Sequence, residues 1–117
     1  MNIPSEISAF ERLNEYGEFA EVAARAGGDV LRDWRGRFAV STKGPKDLVT
    51  EADLASQKTI REILLSRFPD HGFIGEEGVQ DSANSSLRWM VDPLDGTSNY
   101  VHGFPAYCVS VALAYHD

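Results

Sequence analysis

Residues 89–102 read WMVDPLDGTSNYVH, and this stretch decides how the rest of the chain is interpreted. Trp89-Met90-Val91 is a short hydrophobic strand that runs into Asp92. Pro93 keeps Asp92 extended and removes a donor from the turn. Gly96 permits a tight turn after Asp95, and Thr97-Ser98-Asn99 can start a helix, whose free N–H groups and partial positive charge suit a phosphate. Carboxylates that follow a buried run are costly unless they meet something positive. Phe73-Ile74-Gly75, which leads into Glu76-Glu77, repeats that arrangement upstream.

Outward from these two segments the chain alternates helix and strand, so the fold class is mixed α and β, α+β or α/β. Phe10, Leu13, Gly17, Ala20, Ala24, Gly27, Leu31 and Trp34 recur at steps of three and four, one face of a helix that Gly36 ends. Phe38, Val40 and Val49 around Lys43-Gly44-Pro45-Lys46 read as strand, turn and strand. Thr50 to Asp53 fits a capping box with Thr50 as N-cap, opening a helix with Ile60, Ile63, Leu64 and Phe68 on its apolar face. Pro69 stops that helix. Gly78 to Leu87 reads as a surface loop. From Tyr107 to Tyr115 large and small residues alternate, as in an internal strand packed closely on its small side. The three histidines read as surface or hydrogen-bonded, and Cys108 as a buried small hydrophobe.

Composition narrows the function. The 117 residues carry 18 Asp and Glu against 11 Lys and Arg, a net charge of -7, so the long-range field repels nucleic acid and anionic membranes. No run approaches the ~20 apolar residues of a membrane span. Met1 to Phe10 lacks the basic and apolar regions of a secretory signal, so a cytoplasmic location is expected. The single cysteine excludes a disulfide framework and a multi-cysteine zinc site. Every candidate ligand is an oxygen, which favours Mg²⁺, Mn²⁺ or Ca²⁺. Several such carboxylates together would hold more than one ion, the arrangement that activates water against a phosphate ester.

Taken singly, these signals keep plainer readings: Glu76-Glu77 as a solvated turn, Asp92 as a strand-end cap, Asp95-Gly96 as an ordinary turn. Two neighbouring motifs fail on spacing. Pro93 stands where an EF-hand loop needs a ligand. It also stands where phosphatases of the haloacid-dehalogenase type place their nucleophilic aspartate.

The 89–102 segment, with Gly75-Glu76-Glu77-Gly78 and the run Asp47 to Asp53, resembles the inositol monophosphatase family of metal-dependent, lithium-sensitive phosphatases. The resemblance runs from about Gly17 to the end of the chain. It implies the N-terminal half of a layered α-β-α-β-α sandwich, with residues 1–117 one truncated portion of a larger domain. It implies Glu76, Asp92, the carbonyl of Leu94 and Asp95 as ligands of two or three Mg²⁺ ions, with Mn²⁺ as a substitute. By the same resemblance, Gly96 and Thr97 hold the phosphate, Thr97 and Asp47 orient the attacking water, and Glu77 and Lys43 stand farther out.

The implied reaction is attack by metal-activated water on a small phosphate monoester, inositol monophosphate first, in a protein that is a homodimer at full length. Other family substrates are 3′-phosphoadenosine 5′-phosphate, fructose 1,6-bisphosphate and histidinol phosphate. The chain departs from the family pattern in one respect: its two tryptophans are Trp34 and Trp89, so the later Trp-Asp motif is missing. That departure favours an alternative, a non-catalytic metal-binding or dimerising fragment.

Overall fold

The structure, a computed structural model, describes residues 12–37, 45–76, 78–79 and 86–115, with the backbone alone at 45–47 and 78–79. Helix α1 spans Leu13–Arg35 and α2 spans Pro45–Arg67. Strands β1 (Gly72–Gly75), β2 (Gly78–Val79) and β3 (Leu87–Asp95) follow, then the short helix α3 (Thr97–Val101) and strand β4 (Cys108–Tyr115). The strands form one sheet in the order β2-β1-β3-β4, with β1 parallel to β3 and the other two pairs antiparallel. The two long helices pack on each other and on one face of this sheet, α1 against β4 and α2 against β3.

The buried line of α1 is Tyr16, Ala23, Gly27 and Leu31, while Leu13 and Gly17 are exposed. The apolar face is therefore turned slightly from the one the spacing predicts. Gly27 explains the close approach of the helices: a Cβ there would sit 2.6 Å from Cδ1 of Ile60.

Helix α2 begins five residues before Thr50, so Val49 lies within a helix and the expected second strand does not form. Proline suits a first helical position, where its missing N–H costs nothing. Leu48, Val49, Ala52, Ser56, Ile60 and Leu64 are buried at helical spacing, and this burial outweighs the turn signal of Gly44-Pro45. The expected first strand, Phe38 and Val40, and Lys43 lie outside the described residues. Gly78 and Val79, expected in a loop, pair with β1, and Leu87 opens β3.

Strand β4 also departs from expectation. Its partner is β3 on one side, and it stands at the edge of the described sheet. Val109, Val111 and Leu113 turn toward the helices, half-buried, while Cys108, Ser110 and Ala112 are exposed. Cys108 is therefore not a buried hydrophobe.

An aromatic group closes the core beside the start of α1. His71 is buried and stacks on Phe68 with ring centroids 5.0 Å apart. Trp89 Nε1–H donates to His71 Nδ1 at 3.1 Å, so the imidazole is neutral and accepts at that nitrogen. Burial, then the nearby Arg12, hold the His71 pKa below its ordinary 6.5. The unfolded chain takes up this proton first on acidification. Stability is thus fully present above the unfolded value of 6.5 and is lost as pH falls through the lower folded value. Thermal melts taken from about pH 7 down to about pH 5 should show a falling midpoint, and His71→Gln should flatten that slope. An equal slope in the variant would remove His71 as the cause.

Candidate functional site

Parallel strands end at the same edge, and here that edge collects the acidic residues. The β1–β3 register pairs Gly72 with Arg88, Phe73 with Trp89 and Ile74 with Met90. Continued two steps past its last pair, this register would bring Glu76 level with Asp92. In open sheets, ligands bind outside the carboxyl ends of parallel strands.

Along β3 the side chains alternate until Pro93. Trp89 and Val91 are buried, Met90 is exposed and Asp92 is half-buried. Residues three apart on a regular strand face opposite ways. Pro93 and Leu94 are both buried, which absorbs one step and returns Asp95 to the open side with Asp92. The ladder to β4 records the slip: Asp92 pairs with Ser110, and the register shifts before Asp95 pairs with Cys108. A proline, having no N–H, is a natural place for such a bulge, and bulges re-aim side chains.

Local bonds then fix the carboxylates. Leu94 N–H donates to Asp92 Oδ1 at 3.2 Å, and the Cys108 thiol lies 3.9 Å from Asp95 Oδ2. Loss of hydration, then the charges of Asp95 and Asp92, push the Cys108 thiol above its ordinary pKa. Both carboxylates thus act on one point of β4.

Gly96 turns the chain into α3 at φ 89°, and a Cβ there would lie 2.9 Å from the Ala106 carbonyl. That carbonyl accepts from Asn99 Nδ2 at 2.9 Å. The buried Tyr100 hydroxyl donates to the Leu31 carbonyl at 2.6 Å, and burial pushes its pKa up to about 12. Tyr100 thereby ties α3 to α1, and Thr97 is held exposed at the first position of α3.

The structure therefore brings Asp92, Leu94, Asp95, Gly96 and Thr97 onto one bend, with Glu76 exposed at the neighbouring strand end. Asp47 lies in the first turn of α2 by its backbone alone; Glu77 and Lys43 lie outside the described residues. Among the described residues no three His, Cys, Asp or Glu side chains converge as a metal cluster. None of the ion pairs among those residues involves Glu76, Asp92 or Asp95. The donor set is all oxygen, so in its chemistry it fits a hard divalent cation. Beside it, the open face of the sheet forms a hollow of about 320 Å³ lined by Ile74, Met90, Asp92, Ser110 and Ala112.

Two residues of α2 that the sequence did not single out reach these strand ends. Ser56 Oγ lies 3.2 Å from the carbonyls of both Gly27 and Pro93, and Gln57 Oε1 accepts from Glu76 N–H at 3.0 Å. A polar Ser56 in the buried row between Ala52 and Ile60 was a readable signal; Gln57 gave none.

The model of the inositol monophosphatase family matches residues 13–117. A protein of Aquifex aeolicus described as fructose-1,6-bisphosphatase/inositol-1-monophosphatase is 45% identical over 106 residues, covering 88% of this chain and 40% of its own length. An inositol-1-monophosphatase of Rhizobium meliloti is 45% identical over 92 residues, covering 76% of this chain and 35% of its own length. The solved inositol monophosphatase of Anabaena superposes with a TM-score of 0.73 at 35% identity, over 89% of this chain and 36% of that one. This chain thus spans well under half the length of these relatives.

The turn at Gly96 yields a direct test. Gly96→Ala should destabilise the fold by about 1–3 kcal/mol, from the left-handed backbone and the clash with Ala106, as read by denaturant unfolding. A loss within error of zero would show that the turn relaxes freely.

Proposed function

The chain belongs to the inositol monophosphatase family, and from that premise we propose that it contributes the carboxylate half of a Mg²⁺-dependent phosphomonoesterase site whose first substrate is inositol monophosphate. The observation that carries this reading is the bulge at Pro93-Leu94, which brings Asp92 and Asp95 to one side of the sheet at the carboxyl end of β3. A solvated turn or a strand-end cap needs neither the bulge nor the second aspartate.

In this reading Glu76, Asp92, Asp95 and the Leu94 carbonyl hold two or three Mg²⁺ ions, or Mn²⁺ in their place. Mg²⁺ bound there supplies two things, a lowered pKa for the attacking water and neutralisation of the phosphate. The chain's own residues do the rest. Backbone amides at Gly96 and Thr97 orient the phosphate. The Thr97 hydroxyl and the Asp47 carboxylate take the proton side of the water and aim it, with Glu77 and Lys43 farther out. Because water attacks directly, no aspartyl-phosphate forms.

Lithium sensitivity, a homodimer at full length and a cytoplasmic location belong to the same proposal. Among the described residues no helix is long and apolar enough to cross a membrane. The alternative weighed in the same test is a non-catalytic metal-binding or dimerising module. The double description of the Aquifex aeolicus relative makes fructose 1,6-bisphosphate the second substrate to try.

The test is phosphate release by the 117-residue chain and by any longer reading frame that contains it. Inositol 1-phosphate, fructose 1,6-bisphosphate, 3′-phosphoadenosine 5′-phosphate and histidinol phosphate are each assayed with Mg²⁺ or Mn²⁺, with and without Li⁺. We expect Mg²⁺-dependent release that Asp92→Asn reduces to background while circular dichroism is unchanged. Mg²⁺ binding without turnover in both proteins would favour the module. Unimpaired turnover in Asp92→Asn would remove Asp92 from the site.

A further inference from the structure

We propose that Gln57, supported by its neighbour Ser56, is a positioning residue that sets the Glu76 and Asp92 strand ends at the spacing a shared cation needs. This inference rests on the metal reading of the site given above.

The two residues are consecutive on α2, and consecutive helical side chains diverge by about 100°. Each reaches a different ligand-bearing segment. Gln57 Oε1 accepts the Glu76 N–H at 3.0 Å, at the residue that carries the carboxylate. Ser56 Oγ lies 3.2 Å from the Pro93 carbonyl, between Asp92 and Leu94, and shares its hydrogen with the Gly27 carbonyl at the same distance. One rigid helix therefore spans the interval between the end of β1 and the bulge of β3.

Two glycines make this possible. A Cβ on Gly75 would lie 2.6 Å from Cδ of Gln57, so the side-chain amide packs directly on the Gly75 backbone. A Cβ on Gly27 would lie 2.9 Å from Ser56 Oγ. Both glycines are buried, and each leaves the space that the α2 side chain occupies. Partners that orient metal ligands from outside the coordination shell are worth about 10–100-fold in metal affinity when removed.

The experiment compares the wild-type chain with Gln57→Met, which keeps the length but cannot accept in the same way, and Gln57→Glu, which still accepts. Mn²⁺ affinity is read by titration calorimetry, Glu76 amide exchange by NMR, and melting without metal as a control. We expect Gln57→Met to expose the Glu76 amide and weaken Mn²⁺ by about tenfold at a nearly unchanged melting temperature, and Gln57→Glu to restore both. Wild-type behaviour of Gln57→Met in either readout overturns the inference while leaving the site reading in place. A loss of Mn²⁺ affinity that tracks an equal loss of melting temperature, unrescued by Gln57→Glu, overturns it as well. A wild-type chain that binds no Mn²⁺ overturns the site reading itself, and this inference with it.

Discussion

The candidate site depends on one broken rule of strand geometry. Side chains on a strand alternate, so Asp92 and Asp95, an odd number of residues apart, belong on opposite faces. Pro93 cannot donate to the ladder, and the chain spends two buried residues where one is due. That local error in pairing with β4 places both aspartates on the open face. Pro93 and Leu94, buried at the turn, hold the slip in register.

The rest of the fold keeps that slip in place. Leu31, Val49, Ala52, Leu94 and Tyr100 form one core group under the bend, and Trp89, Phe73, Phe68 and Tyr16 form another at the far end of β3. Both ends of the strand are therefore anchored, and the core group at its carboxyl end includes Leu94 of the bulge itself. The Tyr100 hydroxyl reaches across to α1, so the short helix after Gly96 is fixed by a bond from outside its own turn. Hydrophobic packing supplies the rigidity, and a few buried polar bonds supply the direction.

Much of this was legible in the sequence, for reasons that differ by element. Strands β1 and β3 were readable because hydrophobic runs end abruptly in carboxylates, and α1 because its small and large apolar residues keep helical time. The start of α2 was misread because Gly44-Pro45 signals a turn, while the burial of Leu48 and Val49 that decides the matter is a tertiary fact. The alternation in β4 gave the size of each face correctly, but a pattern of sizes does not say what lies against either face. Within the site, Asp92, Asp95 and Gly96 were named by their motif. Gln57 was not, because a lone amide on a helix has no spacing to betray it, and its role exists only where Gly75 passes beneath it.

The edge position of β4 has a consequence for how this sheet can grow. Eight residues, Cys108–Tyr115, contain no charge and no proline, so the outer rim carries none of the usual features that repel another strand. Among the described residues, no strand pairs with that outer rim. The exposed side chains Cys108, Ser110 and Ala112 are short, so a strand laid beside them can bring bulky residues over this rim without steric conflict. The rim thus leaves room above its short side chains, on the same open face that carries Asp92.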